Sequence, residues 1–242
     1  MHSLARLGRA ARAALTPFLA AALFAAPATA QDTDLELVLL ADASGSITQA
    51  ELMFQRLSYA QAITDPAVLE AIANTAYGSI AVTYVEWATN QGVVVPWTRI
   101  ADAEQAEAFA AALATPPRGA NGRNAIGSAL LFGRDLIEGN DIAGWRRVID
   151  FSGDTDGNSY GPHIEAARDE VLAQGITINA LAVTIDGRRP DLPETYRRRI
   201  IGGQGAFVVE AAARETFTEA VRRKLILEIA GPGPRTRAFA AR

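Results

Sequence analysis

Residues 35–46 read Leu-Glu-Leu-Val-Leu-Leu-Ala-Asp-Ala-Ser-Gly-Ser. The first seven, Leu35–Ala41, make an almost unbroken apolar run that fits a strand buried on both faces. The run stops at Asp42, and Ser44 and Ser46 follow at alternate positions. In a locally extended segment alternate side chains share a face, so Asp42, Ser44 and Ser46 converge on one point beyond the strand end. One carboxylate and two hydroxyls offer oxygen alone, a donor set suited to Mg²⁺, Mn²⁺ or Ca²⁺ rather than Zn²⁺. The pentapeptide read by itself is equally well a strand-to-helix turn with the serines as local caps.

The rest of the chain places this strand in a fold. Residues 48–63 have helical spacing, with Thr48 as N-cap and Glu51 three residues on. The runs 79–88 and 92–100 read as a hairpin closed by Asn90-Gln91-Gly92, and Pro96 sends the second run to a sheet edge. Residues 102–114 form an Ala-rich helix capped by Asp102, 115–123 (TPPRGANGR) a loop, and 124–138 another helix. Arg147–Phe151 is a third buried strand. Helices at about 162–174, 192–201 and 214–228 then alternate with strands at 176–184 and 206–210. Buried strands alternating with helices predict one doubly wound α/β domain, a mostly parallel sheet flanked by helices with one antiparallel edge strand. Ligand chemistry in such folds gathers beyond the carboxyl ends of the strands.

Composition narrows the function. The 242 residues include no Cys, which excludes disulfides, zinc–cysteine sites, iron–sulfur clusters and thiol nucleophiles. Residues 1–30 have a basic start (Arg6, Arg9, Arg12), an uncharged stretch from 13 to 30, and Ala28-Thr29-Ala30 before Gln31. That is the pattern of a signal peptide cleaved after Ala30, giving a periplasmic or secreted protein without stable membrane insertion. An uncleaved anchor is the alternative, disfavoured by the short, Ala-rich, Pro17-containing run. Without that segment, which holds three Arg and no acid, 20 basic side chains face 27 acidic ones, net −7. With no basic stripe, nucleic acid is an unsuitable partner. The domain is expected over 31–230, with 231–242 as a flexible tail.

Two more oxygen-rich loops stand where parallel strands or helices meet that sheet edge: Gly122-Arg123-Asn124-Ala125-Ile126-Gly127 and Ser152-Gly153-Asp154-Thr155-Asp156-Gly157-Asn158. Each alone is ordinary turn chemistry. Together with Asp-x-Ser-x-Ser after an apolar strand, they resemble the metal-ion-dependent adhesion site of von Willebrand factor type A (vWA) domains. The segments GSIAVTYVEWA, VVVPWTRI, RRVIDFSGD and GGQGAFVVE further resemble an uncharacterised bacterial family of exported vWA-like proteins. The resemblance implies a metal set of Asp42, Ser44, Ser46, Asn124 and Asp154, with Asp156 as the fallback for the last. Asn124 stands where the family has Thr, and its amide oxygen suits Ca²⁺ better than Mg²⁺. Ser44, Ser46 and Asn124 would touch the ion, Mg²⁺ or else Ca²⁺ or Mn²⁺, while Asp42 and Asp154 act through waters. The implied function is binding, without catalysis, of a protein partner that presents a carboxylate to the ion.

A metal-dependent hydrolase or phosphoesterase using the same oxygens is the rival reading. Against a Ser-His-Asp arrangement, His163 is the one His beyond the leader and no Gly-x-Ser-x-Gly elbow occurs. Against a haloacid-dehalogenase phosphatase, Ser44 stands where that chemistry needs a second Asp. Asp154, Asp156, Asn158 and Glu165 also fit positions of an EF-hand loop, although Ser159 replaces its Gly and a strand precedes it. Gly202-Gly203-Gln204-Gly205 precedes a strand and reads as a helix-to-strand turn rather than a phosphate loop. Tyr84, Trp87 and Trp97 read as packing residues.

Overall fold

The strand that opens the argument, β1 (Gln31–Asp42), lies at the centre of a six-stranded sheet in a computed structural model that describes residues 31–187 and 189–231. The proposed leader and the tail beyond Gly231 lie outside the described residues. Along β1 the side chains divide by parity: Leu35, Leu37, Leu39 and Ala41 enter one core, and Val38 and Leu40 the other. The sheet continues with β2 (Ile80–Trp87), β3 (Gln91–Ile100), β4 (Ile142–Gly153), β5 (Thr177–Val183) and β6 (Val208–Ala211). Its order is β3-β2-β1-β4-β5-β6, with β3 antiparallel and every other pairing parallel. Pro96 thus sits on the edge strand, where its missing N–H costs no ladder bond.

Helices cover both faces. Those on one side are α1 (Gln49–Ile63), α2 (Pro66–Ala73), α3 (Ala103–Ala114) and α7 (Phe217–Ala230). On the other side lie α4 (Ile126–Glu138), α5 (Ile164–Ala173) and α6 (Leu192–Arg199). The caps read from sequence are present: Thr48 and Glu51 form a reciprocal capping box, and Asp102 accepts from the Gln105 N–H. Helix α2 has no counterpart in the sequence reading; Asp65 caps it and Pro66 occupies its first turn. Strands β1 and β4 begin at Gln31 and Ile142, earlier than expected, because 31–33 pair with 142–144 despite their polar composition.

The core on the α7 side encloses charge. Lys224 Nζ lies 2.7 Å from Asp150 Oδ1 and also bonds Glu228, with all three residues at most 1% exposed. One ammonium balances one carboxylate, so the second acid keeps its proton: burial first, then the Asp150 charge, pushes Glu228 from about 4.5 up to about 8. The folded chain therefore binds a proton that the unfolded chain has released above about pH 4.5. Stability from this group is complete below that pH and is lost as pH rises through about 8, at up to roughly 1.4 kcal/mol per pH unit. The melting temperature is expected to fall between about pH 5 and about pH 9, and Glu228→Gln to remove part of that fall. A variant with the wild-type slope would show that the group does not titrate there.

Candidate functional site

Strands β1 and β4 are neighbours, but the chain leaves them toward opposite sides of the sheet, to β2 and to β5. This is the switch point of a doubly wound fold, and β1 and β4 end there together, Ala41 beside Ser152. Asp42 and Asp154 therefore emerge side by side. The Asp154 charge acts on the Asp42 carboxyl. A Cβ at residue 153 would stand 3.3 Å from Asp42 Oδ2 and 3.1 Å from Trp87, so Gly153 lets the two strand ends close up.

The segment after Asp42 is a turn rather than the extended stretch expected. The Ser44 N–H donates to Asp42 Oδ1 (2.8 Å), and the Ile47 N–H to the Ser44 carbonyl (2.9 Å). An Asx-type turn outcompetes extension because it satisfies backbone donors that have left the sheet. The convergence still results, with the Ser44 and Ser46 hydroxyls 3.2 Å apart.

The second loop is fastened to the first. Gly45 N–H donates to Gly122 O (2.8 Å), and Arg118 donates to both Ala43 O and Ile47 O at 2.7 Å. Thr89, two residues beyond β2, bonds both the N–H and the carbonyl of Arg123. Deeper, Arg56 and Glu86 form a fully buried pair at 2.7 Å. Arg56 also donates to Pro116 O and Pro117 O, and Glu86 accepts from Gly119 N–H (2.6 Å).

Asn124 links this loop to the third: its carbonyl accepts from Ser159 N–H (2.7 Å), and Asn158 Oδ1 accepts from Gly127 N–H (3.3 Å). A Cβ on Gly127 would stand 2.2 Å from the Pro162 carbonyl, so only Gly lets α4 start this close to the third loop. Beneath lies an aromatic floor. Trp87 stacks on Phe151 at 5.1 Å and donates to Ser152 O, while Tyr196 donates to Thr155 O (2.7 Å).

Three loops thus meet at one rim. Two buried oxygens there lack any hydrogen-bond donor, Asp42 Oδ2 and Asn124 Oδ1. Unsatisfied buried acceptors are uncommon and fit a site that receives a cation. Burial above all raises the Asp42 carboxyl to about 7; the Asp154 charge adds to the shift, and the bond from Ser44 N–H opposes it. The fallback Asp156 is committed elsewhere, to Arg189 at 2.8 Å and Arg199 at 3.3 Å. Glu165 pairs with the same Arg199 at 2.6 Å. The EF-hand alternative fails on this geometry, because Asp156 and Glu165 are paired with guanidinium groups and Asn158 Oδ1 accepts from the Gly127 N–H at the start of α4. Among the described residues no three His, Cys, Asp or Glu side chains cluster to hold a metal, so hydroxyl and amide oxygens have to complete any shell here. Gly203 and Gly205 turn at positive φ between α6 and β6, as a helix-to-strand turn requires. Tyr84 and Trp87 are fully buried, and Trp97 packs against the α4 side.

Residues 32–233 match the family model described as "Protein of unknown function (DUF1194)". The chain belongs to the DUF1194 family. Comparison of this DUF1194 chain with curated proteins finds no match. Its fold is that of vWA domains, as three solved structures show. The von Willebrand factor type A protein from Catenulispora acidiphila is 16% identical, with TM-score 0.55 over 82% of this chain and 43% of that one. Proximal thread matrix protein 1 from the mussel byssus, with a zinc-occupied MIDAS motif, is 16% identical, with TM-score 0.56 over 83% and 49%. The pilus adhesin SpaC from Lactobacillus rhamnosus GG is 13% identical, with TM-score 0.57 over 81% and 31%. The DUF1194 chain therefore spans about a third to a half of the length of these structures. Among its described residues no helix is long and apolar enough to cross a membrane.

Proposed function

We propose that this chain is an exported, cation-dependent binding module. Ser44, Ser46 and Asn124 ligate a divalent ion directly, Asp42 and Asp154 support it through water, and a carboxylate of a partner protein completes the shell. The observation that carries this reading is the pair of donor-less buried oxygens, Asp42 Oδ2 and Asn124 Oδ1, on two of the three converging loops. The all-oxygen donor set favours Mg²⁺, Ca²⁺ or Mn²⁺, and the zinc-occupied motif of the mussel protein supports a divalent ion at this place in the fold. When bound, the ion supplies a positive centre in a chain of net charge −7 once residues 1–30 are removed, and an acidic partner would otherwise be repelled. The chain's own part is to aim hydroxyl and amide oxygens inward and to hold the Asp42 carboxyl in place through the Ser44 N–H. Binding without turnover fits His163, which stands exposed at the start of α5 with no capping bond. The name of the pilus adhesin supports a role outside the cell. So does the sequence of residues 1–30.

Calorimetric titration with Mg²⁺ and Ca²⁺ tests the reading. The wild-type chain is expected to bind at least one ion, and Ser44→Ala to weaken that binding by about tenfold or more, at least the cost of losing a group that merely supports a ligand. A hundredfold excess of ion over Kd is expected to add about 2.7 kcal/mol of stability, and a chelator to remove it. Equal heats from wild type and Ser44→Ala would contradict the assignment.

A further inference from the structure

The segment that carries Ser44 and Ser46 is gripped at both ends by one side chain. Arg118 Nη1 bonds the Ala43 carbonyl, just before Ser44, and Nη2 bonds the Ile47 carbonyl, just after Ser46, each at 2.7 Å. Arg118 springs from a fixed base, since the buried Arg56–Glu86 pair holds the backbone of Pro116, Pro117 and Gly119 on either side of it. A planar guanidinium bonded through both terminal nitrogens fixes both the separation and the orientation of its acceptors; an ammonium fixes neither.

We propose that Arg118 is a positioning residue for the cation site, bracketing the Ser44–Ser46 turn so that its two hydroxyls keep the spacing a small divalent ion requires. The proposal rests on the cation reading above. It makes a prediction that a merely structural arginine does not. Mg²⁺ demands near-ideal octahedral geometry at about 2.0–2.1 Å, whereas Ca²⁺ accepts irregular shells at about 2.3–2.6 Å. Loosening the bracket therefore penalises Mg²⁺ more than Ca²⁺. A residue that only stabilises the fold changes the unfolding midpoint and leaves the ratio of the two affinities alone.

Arg146 provides the control. It makes the same two-carbonyl grip, on Glu228 O and Ile229 O at 2.6 Å each, and it lies toward the other end of the sheet. The whole chain, Arg118→Ala, Arg118→Lys and Arg146→Ala are titrated calorimetrically with Mg²⁺ and with Ca²⁺, and each is unfolded in urea. Arg118→Ala is expected to lose about tenfold or more in Mg²⁺ affinity and about threefold or less in Ca²⁺ affinity, with Arg118→Lys between it and wild type. Arg146→Ala is expected to lower the urea midpoint and keep the wild-type ratio. Unchanged Mg²⁺ affinity in Arg118→Ala, or equal losses for both ions, would overturn the proposal while the cation reading stands. If Arg118→Ala does not fold, the ratio measured for Arg118→Lys decides by the same criterion. Heat from the wild-type chain with Ca²⁺ alone overturns this proposal, and absence of heat with both ions brings down the cation reading as well.

Discussion

Lys224→Met is expected to destabilise the protein by up to about 4 kcal/mol at pH 7, and by much less near pH 5. In the wild type one ammonium faces two carboxyl groups, Asp150 and Glu228, in a site closed to solvent. Removing the ammonium leaves a buried carboxylate without a counter-charge, and the least costly remedy is to protonate it. Lifting a carboxyl from its unfolded-state value near 4 to above 7 costs about 1.4 kcal/mol per unit, about 4 kcal/mol in all, an upper bound because burial already raises the Asp150 carboxyl with Lys224 in place. The figure agrees with the 3–5 kcal/mol typical of breaking a buried pair from one side. The cost shrinks toward pH 5 because the unfolded chain then holds more of the same proton. Urea unfolding at the two pH values measures this difference directly. Adding Asp150→Asn to Lys224→Met should recover most of the loss, since the remaining Glu228 is already protonated near neutrality. A pH-independent loss, or no recovery in the double variant, would show that packing rather than charge dominates there.

Arg56→Met is expected to cost about 3–5 kcal/mol and to loosen the second loop. Arg56 and Glu86 are both fully buried, and each also holds backbone of the 116–119 segment. The substitution strands the Glu86 carboxylate and leaves the Pro116 and Pro117 carbonyls without a donor, two penalties of the same sign. The loop effect separates this pair from the Lys224 cluster. Hydrogen exchange at Gly119, Asn121 and Arg123 should quicken in Arg56→Met by more than the global loss accounts for, and remain at the global level in Lys224→Met. Uniform quickening in both variants would count against a local anchoring role. Arg56→Met with Glu86→Leu, which removes both charges, is expected to regain part of the stability but not the protection of the loop.

These two clusters were not visible in the sequence, for a physical reason. Lys224 and Glu228 are four residues apart on a helix, a spacing that ordinarily marks a solvated surface pair. Only the approach of β4 and β5 encloses them. Arg56 looks like a surface residue of α1, and Arg118 like the polar centre of a Pro-Pro-Arg-Gly loop, because their partners are mostly carbonyls remote in sequence. Carbonyls are present at every residue and leave no mark on the sequence. The meeting of Asp42, Ser44, Ser46 and Asp154 was legible because they follow strand ends, where an apolar run breaks abruptly into Asp, Ser and Gly. The order of elements was legible from the β-branched runs alternating with helical spacing. Helix α2 was not, since its eight residues give barely two turns of periodicity. The turn at Asp42–Ser46 shows the limit of local reasoning: the three side chains were placed together, by a backbone path different from the one expected.

Crystals grown with Mn²⁺ and measured at its absorption edge test the central claim most directly. An anomalous peak is expected within about 2.0–2.6 Å of the Ser44 and Ser46 hydroxyl oxygens, on the side facing Asp154 and Asn124. A peak seated instead between Asp156 and Glu165, or no peak at the rim where β1 and β4 end, would contradict it.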